Sequence, residues 1–223
     1  MRDGLLSGTE LQRQTLRLYG ELMRRRESWA GKLVFACGEG SSGTGLAAAV
    51  SIAGGTTLVV DPDGAGVKAV FRGGGVDFVV NTLDEALRVL KNEIRKGRPL
   101  GVGLVGEVRP VIAEMVERGV LPDLFVSRGE GEAEVLAVER FRMEQGEGLA
   151  GWLAERGWSE VVLEGATSAE VRELDARLAA VLPQGLRRVW VQRIGHYQRV
   201  VAGGARLVWL TEGERAVVES SAV

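Results

Sequence analysis

The sequence has little of several residue types that build specialised sites. Its one cysteine, Cys37, excludes a disulfide framework within the chain and favours a reducing compartment. With a single histidine, His196, zinc sites of the Cys/His type are excluded as well. The weakly polar stretch 45–60 is interrupted by serine, threonine and glycine, and the N-terminus has no apolar signal core. We therefore expect a soluble, cytoplasmic protein that makes no membrane contact.

Neither sign of charge dominates the 223 residues. Lysine and arginine number 28 against 30 for aspartate and glutamate, for a net charge of −2. A basic surface that would follow phosphates is not expected, and nucleic acid is not an expected partner. The length predicts a single domain over 1–223, with a soft sub-boundary near 130–150.

Glycine is the abundant residue, with 32 copies against 5 prolines, roughly twice its usual share. The glycines occur in small clusters between apolar runs, at 38–45, 54–55, 73–75 and 203–204. This placement is typical of turns in which the backbone reverses tightly or approaches another group closely.

Short apolar runs that do not alternate with polar residues predict strands buried on both faces. They lie at 32–37, 57–60, 77–80, 100–105 and 123–126. Helices are predicted at the start of the chain, from Leu46, over 83–96 with Thr82 as its cap, and over 108–118. The alternation predicts an α/β fold with a doubly wound, mostly parallel, Rossmann-like sheet.

The pattern weakens after Ser127. Residues 135–156 are expected to form one or two helices. Residues 160–163 and 188–191 are expected to be strands that flank a helix over 168–181, and 206–210 a last strand.

The glycine-rich segment after the first strand is the candidate site. Gly38, Gly40 and Gly43 give the pattern G-x-G-x-x-G between a strand and a helix, and Asp61 ends the second strand. Glycines at these positions permit the turn, the approach of a pyrophosphate and close helix packing, while the helix N-terminus attracts phosphate. An acid in the place of Asp61 binds ribose hydroxyls and favours NAD over its 2′-phosphorylated form.

Three other interpretations of this segment stay open. A P-loop has similar glycine spacing, but it requires lysine where Thr44 stands. A methyltransferase that uses adenosylmethionine also has a glycine-rich first turn and an acid after its second strand. Finally, the glycines can serve only to tighten the turn, with nothing bound.

The sequence assigns no catalytic or metal-binding residue. Cys37 lies in the first predicted strand, where a small buried hydrophobe is favoured over a reactive thiolate. His196 is a candidate general base, but no carboxylate near it in sequence would orient it.

Several stretches occur in the order and spacing of one enzyme family. They are GLLSGT (4–9), GKLVFACGEGSSGTG (31–45), LDEALR (83–88), GLVG (103–106), RGVLPD (118–123) and, more weakly, ARLVWLTEGERA (205–216). They resemble the central NAD-binding region of urocanase (urocanate hydratase). The resemblance covers the chain to about Ser127 and a short part of its end.

The resemblance implies tightly bound NAD⁺ that acts as an electrophile in a lyase reaction of histidine metabolism, in a homodimer. By position, it implies that the phosphate turn falls on Ser41, Ser42 and Gly43, and the ribose ligand on Asp61. The remaining cofactor contacts implied are Gly106, Glu107, Val108 and Gly213.

The chain also departs from the family pattern. It begins almost at the first motif, it has Gly66 where an arginine is expected, and it has Glu107 where the family has a neutral amide. We expect a dinucleotide-binding protein that lacks most substrate and catalytic regions and has no urocanase activity alone. It would act as a relic, as a homodimer or with a complementary chain; the alternative is a non-enzymatic accessory module that binds a partner.

Overall fold

The structure is a computed structural model that describes residues 8–37, 43–127, 139–142, 147–197 and 204–220. Its first part consists of α1 (Gly8–Arg25), β1 (Leu33–Cys37), α2 (Gly43–Ile52), β2 (Thr56–Asp61), α3 (Gly64–Arg72), β3 (Phe78–Val80), α4 (Leu83–Lys96), β4 (Leu100–Val105), α5 (Val108–Glu117), β5 (Leu124–Ser127) and β6 (Glu139–Arg142). The second part consists of α6 (Glu147–Ala154), β7 (Ser159–Glu164), α7 (Ser168–Val181), α8 (Leu186–Tyr197), β8 (Ala205–Leu210) and α9 (Glu212–Ser220).

The first six strands form one parallel sheet in the order β3-β4-β2-β1-β5-β6. The chain leaves β1 toward β2 on one side and leaves β5 toward β6 on the other, so the strand order reverses between β1 and β5. The predicted Rossmann-like α/β fold is confirmed. In such sheets ligands bind outside the carboxyl ends of the strands, near the point of reversal.

Both faces of this sheet are covered, which explains the unbroken apolar runs. Alternate residues of β1 point to opposite sides: Val34 and Ala36 join a buried cluster with α1 and α2, while Leu33, Phe35 and Cys37 join one with α4 and α5. Cys37 is fully buried, as the sequence predicts for a small hydrophobe.

Local signals place α4 where the sequence predicts it. The Thr82 hydroxyl accepts a hydrogen bond from the Glu85 amide at 3.3 Å, and Gly97 ends the helix with φ of 64°.

The glycine cluster 73–75 is a place of close approach, as predicted. A Cβ on Gly75 would lie 2.8 Å from Cα of Thr44, so the turn before β3 has no room for a side chain against the first turn of α2. In β4, a Cβ on Gly103 would lie 2.6 Å from Cγ1 of Val67, so glycine there lets α3 pack closely on the sheet.

The second part contains a separate antiparallel sheet of β7 and β8, with Ser159 opposite Leu210 and Glu164 opposite Ala205. The predicted strand over 188–191 is wrong, because these residues lie in α8. Arg187, Trp190 and Ile194 are buried at helical spacing, and the Trp190 indole donates to the Leu207 carbonyl at 2.7 Å. This packing outweighs the β-branched and aromatic content of the segment.

Three further elements differ from the sequence-based expectations. Residues 139–142 form β6 beside β5, within a stretch that was expected to be helical. The helices α3 and α9 were not predicted at all. Asp63 caps α3 by accepting from the Ala65 amide at 2.9 Å, so a glycine-rich segment that resembles a loop becomes a helix.

Helix α1 joins the two parts. The Tyr19 hydroxyl donates to the Leu186 carbonyl at 2.8 Å, and Gly20 lies against Trp209. Burial raises the pKa of the Tyr19 hydroxyl well above its usual range. Trp209 continues into an edge-to-face cluster with Trp152 and Trp158.

None of the helices in the part of the chain that the structure describes is both long and apolar enough to cross a lipid bilayer.

Candidate functional site

The carboxyl ends of the central strands bring predicted site residues together. The end of β1, Cys37, pairs with Val60 of β2 on one side and with Ser127 of β5 on the other. Asp61 ends β2 opposite Val105 of β4. The ends of these strands therefore lie side by side at one edge of the sheet, here called the carboxyl edge.

Asp61 is fixed within this edge. It is 8% exposed, and its Oδ1 accepts a hydrogen bond from the Asp63 amide at 2.8 Å. Its backbone carbonyl accepts from the Gly106 amide at 3.1 Å, which joins the ends of β2 and β4. Two of the predicted cofactor-binding residues, distant in sequence, are thus directly hydrogen-bonded.

Glu107 and Val108 continue this junction but differ in what they present. Glu107 is the N-cap residue of α5 with φ of −70° and ψ of 128°, and its exposed side chain makes no capping bond. Val108 is 6% exposed and packs in the core against α4 and the sheet. Its contribution to a ligand would come from its backbone, whereas Glu107 puts a negative charge at the carboxyl edge.

The predicted phosphate turn is described only at its end. Gly38, Gly40, Ser41 and Ser42 lie outside the described residues, whereas Gly43 begins α2. The first turn of α2 is buried, and Thr44 is 5% exposed.

Helix α1 covers this turn. A Cβ on Gly45 would lie 3.3 Å from Oε1 of Gln14 and 3.4 Å from Oγ1 of Thr15. The Gln14 oxygen is buried and has no hydrogen-bond partner among the described residues. No sequence signal indicated that Gln14 would lie at this turn.

The last predicted cofactor residue, Gly213, is not grouped with the others. It lies in the first turn of α9, which packs against β8 and α7, and a Cβ there would have nothing within 4 Å. The structure thus brings Asp61, Gly106, Glu107 and Val108 together and places Gly213 in the second part.

The described residues contain no cluster of three or more metal-ligating side chains. His196, the candidate base, lies exposed on α8 beside a cavity that Asp175 also lines. Asp175 lies on a different helix, so no sequence pattern indicates that it lines the same cavity.

Comparison with known proteins identifies the family of this chain. A family model described as the urocanase Rossmann-like domain matches residues 2–129, which is more than half of the chain.

Two solved structures show distant likeness. One is the plantazolicin methyltransferase BpumL in complex with SAH, with 10% identity, 93% of this chain and 60% of that chain covered, and a TM-score of 0.28. The other is a cyclopropane-fatty-acyl-phospholipid synthase-like protein from Lactobacillus casei ATCC 334, with 13% identity, 92% and 93% covered, and a TM-score of 0.27. The chain spans 60% of the length of the first.

Proposed function

This chain belongs to the urocanase Rossmann-like domain family, and from that membership we propose that it binds NAD at its carboxyl edge. The family and the parallel sheet give a urocanase-related dinucleotide-binding fold. The observation that carries the proposal further is the junction of Asp61 with Gly106, which holds an acidic side chain at the end of the strand next to β1.

Asp61 is the proposed ligand of the adenine ribose. A carboxylate accepts hydrogen bonds from both ribose hydroxyls and repels a 2′-phosphate, so NAD is favoured over NADP. The hydrogen bond from the Asp63 amide orients the carboxylate before the ligand arrives.

The amides of residues 38–42 are the proposed diphosphate ligands. These residues directly follow β1, beside the point at which the strand order reverses, and they contain the small side chains that allow a phosphate to approach the backbone. The negative Glu107 carboxylate repels the diphosphate, so the affinity for NAD should be lower than with a neutral amide at position 107.

We further propose that the chain works as a cytoplasmic dinucleotide-binding subunit, with a complementary chain or a second copy supplying what is needed for a urocanate hydratase-type reaction. This proposal is supported by the fact that the predicted residues brought together at the described carboxyl edge, Asp61, Gly106, Glu107 and Val108, are all assigned as cofactor contacts and none as a catalytic group. An accessory module without catalysis is the competing proposal.

The first experiment identifies the bound molecule. Purified protein is denatured, and the released small molecules are identified by mass; NAD⁺, NADH, NADP⁺ and adenosylmethionine are then titrated by calorimetry. We expect NAD to be released, or to bind with micromolar affinity, and NADP⁺ to bind more weakly. Preference for adenosylmethionine, or no binding of any dinucleotide at millimolar concentration, would contradict the proposal.

A pair of charge-matched variants then tests Asp61. In Asp61→Asn the side chain still accepts from the Asp63 amide, but the ribose loses a charged acceptor, so NAD binding should weaken about tenfold or more. Asp63→Asn removes the same charge from an exposed helix cap that asparagine serves equally well. Equal weakening in both variants would indicate a general charge effect and would contradict a ribose contact.

A further inference from the structure

A cavity lies outside the family-matched part of the sheet. It has a volume of about 650 Å³ and is formed by α7, α8 and the beginning of β8, with Gln12 of α1 beside them. This volume is in the range of small-molecule sites. We propose that it binds a small organic oxyanion, a carboxylate or phosphate with a compact apolar body.

The buried cation of the cavity is Arg206. Its side chain is 6% exposed and is held by Asp175, with Nε to Oδ1 at 2.5 Å and Nη2 to Oδ2 at 2.6 Å. A guanidinium has five N–H donors in a planar fork. Because Asp175 takes the edge formed by Nε and Nη2, the edge formed by Nη1 and Nη2 keeps donors for a second oxyanion.

Gly195 leaves this ion pair open to the cavity. A Cβ at that position would lie 3.6 Å from Nη2 of Arg206 and 4.0 Å from Oδ2 of Asp175. Gly195 lies in the last described turn of α8, where alanine would support the helix better than glycine. Its lack of a side chain leaves space for a ligand beside Arg206.

Arg172 adds a second positive charge to the cavity. Arg172 lies one helical turn before Asp175, is exposed, and makes no ion pair with any residue that the structure describes. His196 follows Gly195 and lines the same space. Since Asp175 offsets one of the two arginines, the cavity retains net positive charge, which favours an anion.

The uncharged part of the wall bears on the body of the ligand. Val171, Ala176 and Ala179 of α7 and Val191 of α8 form its aliphatic part, and Gln12, Ser168 and Gln192 add neutral polar groups. The aliphatic part fits a short branched hydrocarbon attached to the oxyanion.

The single histidine gives a direct readout. Its imidazole C2 proton should appear as one resonance, which is followed in the full chain while 4-methylvalerate, inorganic phosphate or isopropyl phosphate is added. We expect a saturable shift with 4-methylvalerate or isopropyl phosphate, and the stronger of the two identifies the headgroup. The neutral amide 4-methylvaleramide controls for the apolar body and should give no saturable shift. A shift with inorganic phosphate alone would indicate an adventitious ion and overturn the proposal, as would no saturable shift with any oxyanion.

Variants separate the cavity from a general charge effect. Arg172→Gln should weaken binding about tenfold, the effect expected for one charge-assisted contact. Gly195→Leu, which raises helix propensity, should abolish binding by filling the space before Arg206. Arg177→Gln, on the same helix but outside the cavity, should leave affinity unchanged. Unchanged binding in Gly195→Leu, with the fold intact by circular dichroism, would overturn the proposal, and none of these variants touches the proposed NAD site.

Discussion

The parallel sheet and the second part of the molecule are built from different interactions. This second part contains the β7–β8 sheet and the helices α6 to α9, and is called the β7–β8 part below. The sheet is buried on both faces by aliphatic residues and small helices, and its family-matched segment ends near β5. The β7–β8 part instead relies on tryptophans, buried arginines and hydrogen bonds to backbone carbonyls. Arg187, for example, pairs with Glu214, donates to the Trp209 carbonyl and lies 4.4 Å over the ring of Trp158.

The contrast shows which interactions determine the structure of each part. Aliphatic packing in the sheet tolerates substitutions that keep volume, whereas a buried arginine or an indole N–H needs its partner in one geometry. The stability of the sheet and of its carboxyl edge should therefore tolerate substitutions. The stability of the β7–β8 part should be sensitive to single substitutions.

The largest effect is expected where the two parts meet. In Gly20→Ala the new Cβ would lie 2.4 Å from Cη2 of Trp209 and 2.8 Å from Cδ1 of Leu149. Alanine normally stabilises a helix relative to glycine, but this overlap should lower the free energy of unfolding by about 3 kcal/mol. Urea denaturation measures the difference.

Gly151→Ala in α6 is the matched control for that change. A Cβ there would have nothing within 4 Å, so the variant should be as stable as the parent or more stable by up to about 1 kcal/mol. If Gly20→Ala behaves like this control, the two parts do not meet as described.

The next effect tests the ion pairs of the β7–β8 part. Glu214→Gln keeps the capping contact with Thr211 but leaves Arg187, whose side chain is 7% exposed, without its counter-charge. We expect the free energy of unfolding to fall by about 2 kcal/mol at neutral pH. The loss is smaller than for a fully buried pair because Glu214 is partly exposed. Glu219→Gln, from an exposed pair with Arg215, should change stability by less than about 0.5 kcal/mol.

The loss of stability in Glu214→Gln should also depend on pH. Burial alone would raise the pKa of Glu214, but hydrogen bonds from Arg187 and Thr211 outweigh it and lower the pKa below the usual 4.5. A lowered pKa in the folded state gives stability that is present above pH 4.5 and is lost as the pH falls through the folded-state value. The difference between parent and Glu214→Gln should therefore shrink in acid; a constant difference would contradict this origin.

The smallest effect concerns the carboxyl edge. Glu107→Gln removes an exposed negative charge beside the proposed diphosphate, so NAD should bind about threefold more tightly, and less so at high salt. Calorimetry at two salt concentrations measures this. Glu117→Gln, at the other end of α5, changes the same charge and should leave the affinity as it was.

The sequence predicted the sheet well because its strands carry their own signal. Runs such as 33–37 and 100–105 are apolar without alternation, and Thr82 and Gly97 mark the ends of α4 in the usual way. For the site, the strand order places Asp61 beside the carboxyl end of β1, and the family resemblance implied Gly106. The packing of Gln14 on α2 could not be predicted, because it depends on where α1 lies.

The β7–β8 part was harder to predict because tertiary contacts override local preference there. The segment 188–191 has the composition of a strand, and the bond from Trp190 to Leu207 and the burial of Arg187 and Ile194 explain why it is helical. Likewise, Asp175 and Arg206 meet from different elements, so the cavity beside His196 leaves no pattern in the sequence.

The distribution of indole rings has a practical consequence. Of the five tryptophans, Trp152, Trp158, Trp190 and Trp209 belong to the β7–β8 part, and Trp29 alone precedes β1. Intrinsic fluorescence is therefore mainly a local reporter of that part, whereas far-ultraviolet dichroism reports the whole backbone. Comparing the two melting curves would show whether the molecule unfolds as one cooperative unit or in two steps.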